Sequence, residues 1–304
     1  MQPFAAGLLA LVTLIGLIGP AIKSPQPHDI PIGIVSTPGQ SQHAFAAGGA
    51  FDVTTYSSEN AARAAIDARD IDGALVLGSE GPKLIVAGAA GDGVAGVITG
   101  AFTKVFAAQG QRLNVETVHP FASGDPHGLI LFFVVLAILV STLIVNALVG
   151  LRSGLGFAGR ALLVIVYAAI AAPVAMGIAT WIAGDYGSGF WAATALIALS
   201  AAAVGAVVAG MARIFGPPGV AVAALVAVLL DLVCSGGPIG SRLLPDAYRW
   251  LAPAMPAGQV YSGVRGALYF GDAGVTEPAI VLALWLVVGL VLLAVPLRKR
   301  AADR

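Results

Sequence analysis

The sequence predicts an α-helical polytopic membrane protein. It has six spans, one re-entrant helical element before the last, and an extracytoplasmic α/β two-layer domain between spans one and two. Three observations carry that expectation. The residues are 58% hydrophobic and only 11% charged, with a mean hydropathy of +0.90. The apolar residues come in blocks rather than evenly spread, and one long piece of ordinary soluble composition separates the first block from the rest. A bilayer core of about 30 Å asks for about 20 consecutive apolar residues in a helix. Six stretches meet that need: 4–22, 128–150, 161–183, 190–211, 217–234 and 279–297. The chain therefore divides into a first anchor (1–23), an outer domain (24–127) and a five-span bundle (128–304). The bundle holds a re-entrant segment, 235–275, and ends in a basic tail.

Taken in order, the first apolar run has no positive n-region and no A-x-A site before Lys23 and Pro25, so it reads as an uncleaved anchor. In the outer domain "IPIGIVS" (30–36) is a short β run closed by the turn cluster "TPGQ", and "FDVTTY" (51–56) is a second. "SSENAARAAIDARD" follows as a helix with Ser57 or Ser58 as N-cap and Glu59 in its first turn. "GALVLG" and "KLIVAG", joined by "SEGP", make a hairpin; a helix over 91–109 and a strand over 112–120 complete a β-α-β-β-α-β order from "FDVTTY" onward.

Orientation follows from Lys and Arg in short loops. Arg152, Arg160, Arg213 and the tail "LRKRAADR" share one side if there are six spans, and the rule makes that side cytoplasmic, with both termini inside and 24–127 outside. The outer domain holds ten acidic and five basic residues, which agrees. Trp181 and Trp191 flank the turn "GDYGSG" as an interfacial aromatic belt would. Span four, rich in Ala and Gly on all sides, points to a packed bundle or a dimer interface.

Several chemistries find no support. The net charge is zero, so nothing points to nucleic acid, and the single Cys234 cannot form an internal disulfide. There is no HExxH, GxSxG, CxxC or phosphate-binding P-loop. No nucleophile–base pair is visible, so no enzyme activity and no cofactor are expected. "GDGVAG" sets Gly91, Gly93 and Gly96 in a G-x-G-x-x-G with Glu116 about 20 residues on, as a dinucleotide fingerprint does. A hairpin precedes it rather than a βαβ crossover, so the favoured reading is close helix-on-sheet packing with Asp92 at a helix N-terminus. His119, His127 and Asp125 are the one set that could hold a metal; the plainer reading makes them solvated or interfacial.

Asp231 is the anomaly of the apolar spans. It lies about 21 Å along span five, near a helix C-terminus whose dipole it opposes. A partner is expected, with Arg242, Arg249 and Arg265 as candidates. The residue is read either as a tie between span five and the next segment or as part of a substrate path. That segment is too apolar for a loop and too broken for a span. Pro245 starts a short helix ending before Pro253, and 257–270 forms a second with Val260, Tyr261, Val264 and Leu268 on one face. A re-entrant pair fits, because irregular backbone at membrane depth must be buried by protein or reached by water.

Three blocks carry a resemblance to a known group: "IPIGIVS", "ARDIDGALVLG" and, more specifically, "CSGGPIGSRLLPDAYRWLAPAMPAGQVYSGVRGALYFG". With the order anchor, outer domain, five spans, the chain resembles the membrane subunit of type 2 ABC exporters, closest to the YhgE/Pip (phage infection protein) branch. The outer region is much shorter than in long members of that branch. The resemblance implies an export permease in a bacterial cell (inner) membrane, moving a lipid-like, peptide or drug-like molecule out of the cytoplasm or inner leaflet. Its implied partners are the lipid bilayer, a separate ATP-binding subunit and a second membrane subunit in a homodimer or heterodimer. The translocation path or gate is then expected at Asp231, Ser235, Gly236, Gly237, Pro238, Arg242, Arg249, Pro256, Arg265 and Tyr269. The alternative is a non-transporting envelope receptor or assembly scaffold acting through the outer domain.

Overall fold

Residues 2–23, 26–35, 49–79, 81–152 and 154–296 are described by the computed structural model. The "TPGQ" turn, His43 and the basic tail from 297 on lie outside them. The sheet domain is built on five strands: β1 (Ile30–Val35), β2 (Phe51–Tyr56), β3 (Gly73–Gly78), β4 (Gly81–Ala87) and β5 (Asn114–Val118). They form one sheet in the order β2-β1-β3-β4-β5. β1 runs parallel to β2 and β3; β4 is antiparallel to β3 and parallel to β5. Helix α2 (Glu59–Asp67) starts where expected, with the Ser58 hydroxyl accepting the Ala61 N–H at 3.2 Å. Helix α3 (Asp92–Ala108) links β4 to β5.

The domain has three layers rather than the expected two. Both crossovers, β2-α2-β3 and β4-α3-β5, step the same way across the sheet, but strand direction reverses at the β3–β4 hairpin. Crossovers of one hand then place their helices on opposite faces. Side chains agree: Ile30, Ile32, Leu75 and Leu84 pack with Ile98 and Phe102 of α3, whereas Ala74 and Ile85 pack with Ala62 and Ile66 of α2. Consecutive burial of Leu84, Ile85 and Val86 is the signature of a strand covered on both faces. Each face also borrows from beyond the domain: Leu243 completes the α3 side and Phe270 the α2 side. The domain core and the 235–275 segment are therefore one packing unit.

Five helical stretches are long and apolar enough to cross a membrane: Leu129–Leu151, Phe157–Ala183, Gly187–Phe215, Pro217–Cys234 and Thr276–Ala294. The corresponding helices are α4 (Leu129–Leu151), α5 (Phe157–Ala183) and α6 (Phe190–Phe215). Next come α7 (Pro217–Ala224) and α8 (Asp231–Cys234), joined by a π-helical stretch, Leu225–Leu230. Short α9 (Asp246–Leu251) and α10 (Pro256–Tyr269) match the predicted broken pair, and α11 (Thr276–Ala294) ends the bundle. Helix α1 (Gln2–Lys23) precedes the sheet.

Helix α6 is the axis. Its apolar window is 78% buried, against 22–39% for the other four stretches. Its Ala and Gly residues let neighbours come close: a Cβ on Gly289 of α11 would sit 2.5 Å from Ala206 Cβ and 2.6 Å from Val207 N. The small-residue surface of span four is thus consumed within the chain. At the end of the bundle away from the sheet, arginines satisfy carbonyls at helix ends and in the loop between them. Arg160 donates to Val149, Leu155 and Arg152 carbonyl oxygens, and Arg213 to that of Leu293.

Candidate functional site

The sheet end of the bundle is where polar chemistry gathers. After Cys234 the chain turns through Ser235 and two left-handed glycines, Gly236 (φ 68°) and Gly237 (φ 47°), a backbone region that side chains resist. The Ser235 hydroxyl holds the turn, donating to Leu232 O at 2.6 Å and accepting from Gly237 N at 3.1 Å. Pro238 sits in the 3-10 turn Gly237–Ile239 that follows. Pro245 precedes α9, and Pro256 opens α10, where its missing N–H leaves no donor unsatisfied. Val260, Tyr261 and Val264 are buried in the bundle core, with Leu268 packed at its margin.

Asp231 does not pair with an arginine. It is fully buried, and its Oδ1 accepts the Ala257 N–H at 2.7 Å, at the N-terminus of α10; Oδ2 has no partner among the described residues. The carboxylate therefore sits badly near the C-terminal end of the Pro217–Cys234 stretch but well for α10, facing the positive end of that dipole. The three candidate arginines are engaged elsewhere. Arg249 pairs with Asp29 at 2.8 Å and Asp246 at 3.0 Å. Arg242 donates to the Asp29 carbonyl at 2.6 Å and lies 3.9 Å from the Asp72 carboxylate. Arg265 reaches into the sheet domain and donates to the Ala89 and Ala90 carbonyls, with its guanidinium 4.7 Å from the Tyr261 ring centre.

A residue that sequence reasoning did not single out answers Arg265 from the other side. Arg69, in the left-handed conformation just past α2 (φ 64°), donates to the Ser262 carbonyl at 3.0 Å, the Ser262 hydroxyl at 3.1 Å and the Ala273 carbonyl. The two arginines cross the junction in opposite directions. Burial first, then the charge of Arg265, pushes the Arg69 pKa down to about 10, while Asp72 opposes the shift. Burial raises the Asp72 pKa although Arg242, Arg265 and Arg69 all pull it down.

Between these groups lies a cavity of about 570 Å³. Ser235, Arg242, Arg249 and Arg265 of the expected path line it, together with the unforeseen Arg69, Gln259 and Ser262. Asp231 is not among the residues that line it. Gly236 and Gly237 face a smaller, apolar pocket of about 210 Å³ shared with Ile18 and Phe132. Tyr269 points away, its hydroxyl 3.5 Å from Ala122 N and its ring edge-on to Phe121. The signal that could have found Arg69 was "ARDIDG", a helix stop with a cation placed to leave the domain surface.

The two motifs weighed from sequence have structural explanations. A Cβ on Gly93 would come 2.4 Å from Ile239 O, so this glycine admits the 235–275 segment rather than the sheet. Glu116 is held by Arg63 at 2.6 Å and Lys83 at 2.9 Å. His119 bridges Asp67 and the Tyr269 carbonyl, both at 2.7 Å, His127 meets Asp92 at 3.1 Å, and Asp125 accepts the Ile130 and Leu131 amides at the start of α4. The three go to different partners.

Comparison with protein-family models, with characterised proteins and with solved structures gives no match for the chain.

Proposed function

We propose that the chain is the membrane subunit of an export system. It moves a lipid-like, peptide or drug-like molecule out of the cytoplasm or inner leaflet of a bacterial cell membrane. ATP hydrolysis is supplied by a separate ATP-binding chain, and two membrane subunits act together. The observation that carries this reading is the polar cavity of about 570 Å³ between the outer domain and the helices of the bundle. It is lined by guanidinium, hydroxyl and amide groups, which bind and orient a molecule.

In this reading α1 is span one, which brings the five membrane-length stretches to six spans; the 235–275 segment is re-entrant, and 24–127 lies outside. The arginines at the opposite end then face the cytoplasm, as the distribution of positive charge favours. Asp231 ties the end of span five to the first turn of α10, so that movement of either is passed to the cavity wall.

Mild-detergent purification of the full chain tests the energy source. An ATP-hydrolysing chain copurifies in about equal amount if the reading holds; a membrane preparation in which ATPase never accompanies the chain sinks it.

A further inference from the structure

The lining of the cavity at the domain–bundle junction holds more cations than carboxylates, while behind it Asp29 and Asp246 pair with Arg249 and Asp72 acts on Arg242, Arg265 and Arg69. Arg69, Arg242, Arg249 and Arg265 line it, and Asp70 and Glu277 are the lining carboxylates. Among the described residues, neither Arg69 nor Arg265 has a carboxylate within 4.0 Å; both donate to carbonyls, and Arg69 also to a hydroxyl. Carbonyl oxygens orient a guanidinium without cancelling its charge. The Arg265 Nε is buried with no hydrogen-bond partner among the described residues. Arg69 and Arg265 repel each other, and Asp72 offsets this from more than 4.0 Å away, so an anion that hydrogen-bonds both guanidiniums directly is favourable between them. Ser262 accepts from Arg69 through its hydroxyl oxygen at 3.1 Å, which leaves its own proton to donate.

The depth of the cavity narrows the class of anion. One wall is Cys234 and Ser235, where one membrane-length stretch ends, and another is Glu277 and Pro278, where the last begins. Trp181, Trp191 and Trp250, at this same end, are 85%, 70% and 82% exposed. Tryptophans in that position mark the level of lipid headgroups. Phosphate oxygens are the abundant anions at that level, and the forked donors of arginine match their geometry.

We propose that this cavity binds the phosphate group of an amphiphilic molecule at the outer surface of the bilayer. Binding stands on the geometry alone; its role as a waiting place for cargo rests on the export reading.

The test uses the purified full chain in nanodiscs of neutral lipid, titrated with short-chain phosphatidic acid, short-chain diacylglycerol and inorganic phosphate. Phosphatidic acid should bind on the order of tenfold or more tightly than diacylglycerol, because the charged hydrogen bonds go to the phosphate. Arg249→Gln, whose Asp29 and Asp246 partners are exposed, should weaken binding several-fold with unchanged thermal unfolding. The Arg69→Gln/Arg265→Gln pair should remove it. Displacement of the lipid by inorganic phosphate assigns the site to free phosphate as well, and failure to displace assigns it to the lipid; both support a phosphate site. Equal binding of diacylglycerol, or full phosphatidic acid affinity in Arg249→Gln and in the double variant, overturns the proposal. Since no transport is measured, binding by a chain that never exports would overturn the export reading and leave the site standing.

Discussion

Ala257 N–H meets Asp231 Oδ1 at 2.7 Å, and Met255, the N-cap of α10, offers no side-chain cap of its own. A residue 26 positions upstream thus does the work of a cap. Asparagine keeps an acceptor at that place and alanine does not. Asp231→Ala should therefore lower stability by about 1–3 kcal/mol, the range for a buried donor left unpaired, while Asp231→Asn stays near wild type. Thermal unfolding in detergent separates the two; equal losses in both variants would mean that the charge, not the hydrogen bond, holds α10. Sequence showed that Asp231 needed a partner, because a carboxylate in an apolar span is costly. It did not show which, since charge matching points to arginine. Glu116 gives a second residue-scale prediction. Hydrogen bonds from Arg63 first and Lys83 second, with their charges, depress its pKa from 4.5 to about 2. A depressed carboxylate stabilises the fold above its unfolded pKa and loses that contribution as pH falls toward its folded one. The Glu116 side chain is 37% exposed, so solvent screening keeps the effect small. The difference in unfolding temperature between wild type and Glu116→Gln should be largest above pH 4.5 and close as pH falls toward 2; a constant difference would refute the linkage.

At the scale of elements, span five is regular in sequence and irregular in structure. Between α7 and α8 the π-helical stretch Leu225–Leu230 widens the turn just before Asp231. Widening a turn by one residue rotates everything after it relative to an ideal helix, which changes the face on which Asp231 emerges. Nothing in "LVAVLL" signals this, because hydropathy is the same for either helix type. The breaks on either side of α9 and α10 were legible, since Pro245, Pro253 and Pro256 punctuate backbone directly. Strand positions were legible too, but their order and layering were not: β1 lies between β2 and β3, and its neighbours are fixed by tertiary packing alone. The tight α6–α11 seam makes its own prediction. Gly289→Leu has no room beside Ala206 and should destabilise the bundle by about 1–3 kcal/mol through overpacking. Detergent unfolding checks this, and an unchanged midpoint would show that the seam can open without cost.

Across the whole molecule, the sheet domain and the bundle exchange arginines. Arg69 leaves the domain for α10 and its following loop, and Arg265 leaves α10 for the turn before α3. Leu243 and Phe270 complete the two cores of the domain, so a displacement of the 235–275 segment is felt in the sheet. The sequence expectation of separate domains rests on composition, and it missed this docking because Arg69 looks like any helix-terminal cation. The arrangement joins a cation-lined cavity, a domain hydrogen-bonded to α10, and a buried carboxylate at the first turn of that helix. Export is the central claim, and transport measures it most directly. On the export reading, the full chain, reconstituted into sealed vesicles with the ATP-binding chain that this reading expects to copurify, should move a fluorescent phosphate-bearing amphiphile across the bilayer only with ATP. Arg265→Ala should abolish that movement while the protein remains folded in the vesicle. Movement independent of ATP, or an Arg265→Ala protein that transports at the wild-type rate, would contradict the account.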